Sequence, residues 1–231
     1  MHPILSFDLD GTIVTSSYAD HVWLEGLPKL YATEKNTTLK QAKKTLFTAY
    51  DEISDARIEW YDISYWFQRY NLHSSWIDLL QKYTPYITPY EEAIPLIKHL
   101  AQHYPLIITS NAKREFIEIQ LKHTNLHPYF TALYSSISDF NKVKKEPAVY
   151  QGICTQHHIH PQQLIHIGDH EQYDYHAPKK IGVHAYYLNR KKTTSSHSEE
   201  VTSLTQFVET ILPTTIKKIK KEKKLEKLPD F

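Results

Sequence analysis

The chain has one cysteine and one methionine in 231 residues, so it holds no intrachain disulfide and no cysteine-based metal cluster. The lone Cys154 sits beside Val149 and Ile153 in a helix-like apolar stretch, where a thiol serves as core filler. Glycine is scarce too, with five residues at 11, 26, 152, 168 and 182. They form no G-x-G-x-x-G or Walker-type loop, which excludes the dinucleotide and P-loop readings. No apolar run is long enough to span a bilayer. The opening Met1-His2-Pro3 lacks the basic and apolar regions of a signal peptide. Neither sign of charge dominates: 27 Lys and Arg against 26 Asp and Glu give a formal net charge of +1. That balance gives no bias toward nucleic acid. A soluble, cytoplasmic chain with no membrane partner is expected, long enough for one large domain or two modest ones.

Where glycine is kept, it marks a pattern. Phe7-Asp8-Leu9-Asp10-Gly11-Thr12 follows the apolar run Ile4-Leu5-Ser6-Phe7, so two carboxylates arrive where a predicted strand ends. Residues i and i+2 of a strand share a face, and the crevice beyond strand ends is where open α/β sheets bind ligands. Paired acids there hold a hard cation or divide the work of nucleophile and acid/base. An Asx-turn or helix cap explains Asp-Gly equally well when it stands alone. Three further segments make it part of a set. Leu106-Ile107-Ile108 leads into Thr109-Ser110-Asn111, hydroxyls before a helix start that suit an anion. Lys142, Lys144 and Lys145 precede Glu146-Pro147; a lysine there can neutralise a transferring phosphoryl group, and a surface charge run is the default alternative. Ile165-His166-Ile167-Gly168-Asp169 repeats strand, glycine and aspartate, with Asp174 five residues on. Together these carboxylates complete an oxygen-ligand site for Mg²⁺. Four coincidental caps are a poor explanation.

Residues 17–83 read as four amphipathic helices, a small antiparallel bundle. Thr38 with Gln41 forms a capping box, and Pro28 kinks the first helix or starts another. Thr84 to Tyr90, with two prolines, reads as a linker. Strands at 106–109, 132–134, 164–167 and 183–188 then alternate with helices, which means βαβ units and a parallel sheet. Residues 191–200 read as a surface loop, and Leu204 to Ile211 as a closing helix. The expected fold is α/β: a Rossmann-like parallel sheet flanked by helices at 1–15 and 89–213, with an inserted helical-bundle cap at 16–88. Seven lysines between 217 and 227 make a basic tail at 214–231, read as a solvated end.

In these motifs and their order the chain resembles the haloacid dehalogenase (HAD) superfamily, in the form with a helical cap after the first motif. The resemblance covers roughly residues 3 to 190. It implies that Asp8 is a nucleophile and Asp10 an acid/base, with Ser110 and Asn111 binding phosphate. Lys144 best matches the family's lysine, because Lys144-Lys-Glu-Pro147 resembles Lys-Pro-Asp-Pro; the register with Lys145 stays open. Asp8, Asp169 and the Asp10 carbonyl are implied to hold Mg²⁺, with Asp174 a further or water-mediated ligand. His170-Glu-Gln-Tyr173 departs from the small polar residues usual in the fourth motif. The implied activity is hydrolysis of a small phosphorylated metabolite through an aspartyl-phosphate. The oligomeric state is open with a monomer favoured, and nucleic acid is not expected as a partner. A phosphoryl transferase or mutase on the same scaffold is the first alternative, and a non-catalytic module using the lysine tail on nucleic acid is the second. Arg57, Glu59 and the aromatics from Trp60 to Trp66 are the cap residues expected to reach a substrate.

Overall fold

The structure, a computed structural model, describes residues 3–191 and 197–211. The lysine-rich tail at 214–231 lies outside the described residues. Six strands, β1 (Ile4–Phe7), β2 (Leu106–Ser110), β3 (Ala132–Ser135), β4 (Leu164–Gly168), β5 (His184–Leu188) and β6 (Glu200–Val201), form one parallel sheet in the order β3-β2-β1-β4-β5-β6. β1 is central, pairing Leu5 with Leu106 on one side and with Ile165 on the other. Both faces of the sheet are covered by helices, which is why these strands read as apolar runs. Leu5 and Phe7 pack into one core with Phe116 and Phe207. Ile4, one residue out of phase, packs into the other with Tyr150, Ile153 and the buried Cys154.

From β1 the chain builds outward through β2 to β3, then returns to β4 on the opposite side of β1. This reversal opens a crevice above the C-terminal ends of β1, β2 and β4. The helical insertion lies between β1 and β2. Pro28 occupies the first turn of the helix Leu27–Glu34, where its missing N–H costs nothing, so it starts a helix after a π-helical turn at Val22–Gly26. Thr38 and Gln41 form the expected capping box on Leu39–Ile53. A short helix, Ile58–Tyr61, precedes Ile63–Arg69 and carries Trp60 and Tyr61.

Two segments differ from the sequence reading. The proline-rich stretch after 83 is built into the core: Pro89 bridges Val14, and the Tyr90 N–H donates to the Ile13 carbonyl at 3.0 Å. Glu200–Val201 is a sixth strand rather than loop. Two residues offer no alternation to read, so only pairing with β5 reveals it.

Candidate active site

β1 ends in a turn that only glycine permits. Gly11 has φ +84°, and a Cβ there would lie 2.1 Å from Oδ2 of Asp169. The turn closes on itself as Ile13 and Val14 N–H groups donate to the Leu9 carbonyl at 2.9 and 3.1 Å. Arg190 fastens it, donating to the Thr12 carbonyl at 2.7 Å and the Gly11 carbonyl at 3.2 Å. The guanidinium lies over Tyr90, 3.6 Å from the ring centroid, and is paired with Glu92 at 2.7 Å. Asp8 emerges buried and Asp10 half-buried, both lining one cavity of about 290 Å³. Thr12 Oγ1 donates to Oδ2 of Asp8 at 3.3 Å, and Gln120 Nε2 donates to Oδ1 of Asp10 at 3.2 Å.

The lysine that meets Asp8 is Lys145. Its Nζ donates to Oδ1 of Asp8 at 2.5 Å and also pairs with Asp174, at 1% side-chain exposure. Lys144, the better motif match, stands outside the site: it binds Asp55 at 3.2 Å and the Tyr61 hydroxyl on the insertion. The reason is a tight turn in which the Glu146 N–H donates to the Lys144 carbonyl at 2.8 Å, sending the two side chains apart. Asn111 secures the arrangement, since its Oδ1 accepts the Lys145 N–H at 2.7 Å. Ser110, at the end of β2, accepts the Ala112 N–H at 3.1 Å and faces the cavity.

β4 brings the remaining acids. Asp169 stands at the cavity rim, while Asp174 is fully buried with both oxygens engaged. Its Oδ1 accepts from Lys145 and from His166 Nε2 at 3.0 Å, and its Oδ2 accepts the His170 N–H at 3.0 Å. A Cβ on Gly168 would lie 2.3 Å from Cγ of Asp174, so glycine is what admits this carboxylate beside β4. His166 belongs to a buried chain running under the site. Its Nδ1 meets Ser6 Oγ at 2.8 Å, and Ser6 Oγ meets Thr109 Oγ1 at 2.9 Å. Burial lowers the His166 pKa, so the ring is neutral and its one N–H goes to Asp174. Ser6 must then donate to Nδ1 and accept from Thr109. Three adjoining strands are thus joined beneath Lys145.

The electrostatics follow from crowding. Burial raises the Asp8 carboxyl well above its ordinary value against the pull of Lys145, with Asp174 and Asp169 adding to the rise. Burial pushes Asp10 up to about 6, partly offset by the Gln120 hydrogen bond. Loss of water on its inner side, with Asp174 nearby, pushes Asp169 up to about 6. Burial works against the charge of Asp174 too, but Lys145 and His166 hold its carboxyl well below the usual range. One ammonium among these acids leaves a surplus of negative charge. Carboxylate oxygens of Asp8, Asp169 and Asp174 lie within 4.8 Å of one another, the hard-donor set that a divalent cation such as Mg²⁺ takes.

A family model described as haloacid dehalogenase-like hydrolase matches residues 5–188. The chain belongs to that family. Among relatives, this HAD-like hydrolase is 28% identical over 90 residues to haloacid dehalogenase-like hydrolase domain-containing protein 3 of Danio rerio. The stretch is 39% of this chain and 36% of that protein, so only about a third of the relative's length is matched. Among solved structures, a HAD phosphatase from Thermococcus onnurineus superposes with a TM-score of 0.78 at 22% identity, over 92% of this chain and 98% of that one. The HAD-hydrolase YfnB from Bacillus subtilis, bound to magnesium, gives a TM-score of 0.63 at 20% identity, over 90% and 97%. At these identities the likeness speaks for the fold.

Asp8, Asp10, Ser110, Asn111, Asp169 and Asp174 of the HAD-like hydrolase all line the cavity, and Lys144 does not. Of the cap residues expected near a substrate, Trp60 and Tyr61 line it, Trp66 is fully buried elsewhere in the bundle, and Arg57 pairs with Glu59 at the surface. Gln120, His166, Ser6, Thr12 and Arg190 escaped the sequence reading. A serine and a histidine inside apolar strands are the one visible signal, since buried polar groups need partners. Among the described residues no helix is long and apolar enough to cross a membrane.

Proposed function

We propose that this HAD-like hydrolase is a Mg²⁺-dependent phosphatase acting on a small phosphomonoester through an aspartyl-phosphate. The observation that carries the reading is the pairing of Asp8 with Lys145 on the cavity floor, with Asp10 standing over it. A carboxylate oxygen of Asp8 attacks phosphorus, and the bond from phosphorus to the ester oxygen breaks. Asp10 carries a proton more readily than an ordinary carboxyl, and it gives this to the departing alcohol. The same group, now ionised, takes a proton from the water that hydrolyses the aspartyl-phosphate and frees inorganic phosphate and Asp8. Lys145 and the Ser110 hydroxyl stabilise charge on the phosphoryl oxygens. Asp8 and Asp169, with the Asp10 carbonyl, would hold Mg²⁺, which offsets repulsion between the acids and an anionic substrate. Asp174, already committed to Lys145, His166 and the loop, serves that set by positioning Lys145.

The insertion shields the reaction from water. Lys113 pairs with Asp62 at 2.7 Å and Lys144 with Asp55, so two core lysines hold it over the cavity. The test is Asp8→Asn, which should abolish Mg²⁺-dependent hydrolysis of p-nitrophenyl phosphate. An undiminished rate would refute the assignment.

A further inference from the structure

The active-site cavity continues past Asp10 into the insertion, and its far end is built unlike its floor. Trp23, Tyr50 and Trp60 stand in a triangle there. Ring centroids are 6.2 Å apart for Trp23–Tyr50 and 6.4 Å for both Trp23–Trp60 and Tyr50–Trp60. The planes of Trp23 and Tyr50 meet at 88°, those of Tyr50 and Trp60 at 58° and those of Trp23 and Trp60 at 30°, so Tyr50 stands across two indoles that are nearer to parallel. They surround a recess of about 90 Å³ that Asp20 and Leu24 complete. Asp20, Trp23 and Trp60 line both this recess and the cavity over Asp8, so the two adjoin. The Tyr50 hydroxyl donates to the Trp23 carbonyl at 3.2 Å, which fixes one wall to another.

Charge at this end is one-sided. The nearby rim lysines are already neutralised, Lys113 by Asp62 and Lys144 by Asp55. Asp20 accepts a hydrogen bond from Ser16 Oγ at 2.7 Å and, among the described residues, forms no ion pair. A molecule whose phosphate sits at Asp8 and whose ester oxygen faces Asp10 therefore extends toward three aromatic rings and one carboxylate. Aromatic faces are negative, and a cation within about 6 Å of a ring centroid is drawn to them. A group seated over the middle of this triangle comes within that distance of all three ring centroids. A sugar would find few polar partners among these walls, and a neutral ring would gain nothing from the charge on Asp20.

Building on the phosphatase reading, we propose that the recess selects a phosphomonoester whose alcohol carries a quaternary ammonium head, boxed by Trp23, Tyr50 and Trp60 and faced by Asp20. Phosphocholine and 3,3-dimethylbutyl phosphate test it, because they share shape and differ only in nitrogen against carbon. With Mg²⁺ present, kcat/KM for phosphocholine should exceed that of the carbon analogue about tenfold. Asp20→Asn and Trp60→Leu should each bring the ratio toward one; taken within a variant, the ratio cancels any general change in turnover or folding. In Asp8→Asn, phosphocholine should quench tryptophan fluorescence more strongly than the carbon analogue at equal concentration, a binding readout that needs no turnover. Equal kcat/KM for the two esters, or a higher value for a nucleoside monophosphate, would overturn the proposal. If p-nitrophenyl phosphate is hydrolysed while the ratio is one, the ammonium site alone is refuted. If p-nitrophenyl phosphate resists as well, the phosphatase reading fails and the ammonium site with it.

Discussion

Lys145→Met removes the ammonium that pairs with Asp8 and Asp174 while keeping most of the stem's volume. Asp8 and Asp174, at 5% and 0% exposure, are then left facing each other without a counter-charge. Removing one partner of a buried ion pair costs about 3–5 kcal/mol. For a chain of this size that lowers Tm by roughly 10 °C. Lys144→Met is the matched control. It breaks a pair with Asp55, whose side chain is 69% exposed, and such pairs contribute below about 1 kcal/mol. The deficit in Lys145→Met also carries a pH signature. Asp8 already has a raised pKa, and without Lys145 it rises further. A carboxyl with a folded pKa above its unfolded one gives stability that is whole below the unfolded value and lost as pH climbs through the folded value. Asp174 adds the opposite half: its lowered pKa means that Lys145 stabilises it above the ordinary carboxyl range and not below. Both effects make the deficit smaller at acid pH and larger as pH rises. Urea unfolding in EDTA at pH 5 and 8, followed by tryptophan fluorescence, measures it. If the proposed phosphatase reading holds, hydrolysis of p-nitrophenyl phosphate should fall about 10²–10³-fold in Lys145→Met, the scale of losing one donor to developing charge. Equal losses in the two variants, or a deficit that does not grow with pH, would refute the argument that Lys145 organises the site.

Asp10→Asn should stabilise the metal-free protein at pH 8 by up to about 3 kcal/mol, because a carboxyl raised to about 6 loses stability as pH rises through that value. The gain should vanish below pH 4, and a pH-independent difference in urea unfolding would contradict it. Gly11→Ala places a Cβ against Asp169 at a positive φ, and a thermal melt should show a loss of about 1–3 kcal/mol. An unchanged Tm would show that the turn relaxes freely. His166→Leu leaves Ser6 and Asp174 each short of a buried partner, costing about 1–3 kcal/mol. In the proposed mechanism His166 acts through Asp174 and Lys145, so kcat should fall with KM little changed; a pure KM effect would place its role elsewhere.

The cap wall shows where sequence reading runs short. Trp23 lies in a stripe whose helical spacing suits a core, yet it lines the cavity, and of the aromatics expected to reach a substrate Trp60 and Tyr61 do so while Trp66 fills the core. Which ring turns toward the cavity depends on how each short helix is tilted, and a one-residue rotation of about 100° decides it. Leu24 belongs to the same sequence stripe as Trp23 and Leu27, yet it is 45% exposed while Leu27 is fully buried. The π-helical turn at Val22–Gly26 shifts the phase between them.

Apolar runs of strand length, each ending in an acid or a hydroxyl, settle the parallel sheet and the rim on which the chemistry stands. They do so because a strand buried on both faces must be apolar, and its end is the first place a polar group meets water. Which lysine faces Asp8 is decided elsewhere. One turn at Lys144–Glu146 and one hydrogen bond from residue 145 to Asn111 choose between neighbours that are chemically identical. The joining of Ser6, His166 and Asp174 likewise exists only once β1 and β4 are paired in register. Contacts between residues about 160 positions apart leave no local trace in the chain, because it is folding that brings them together.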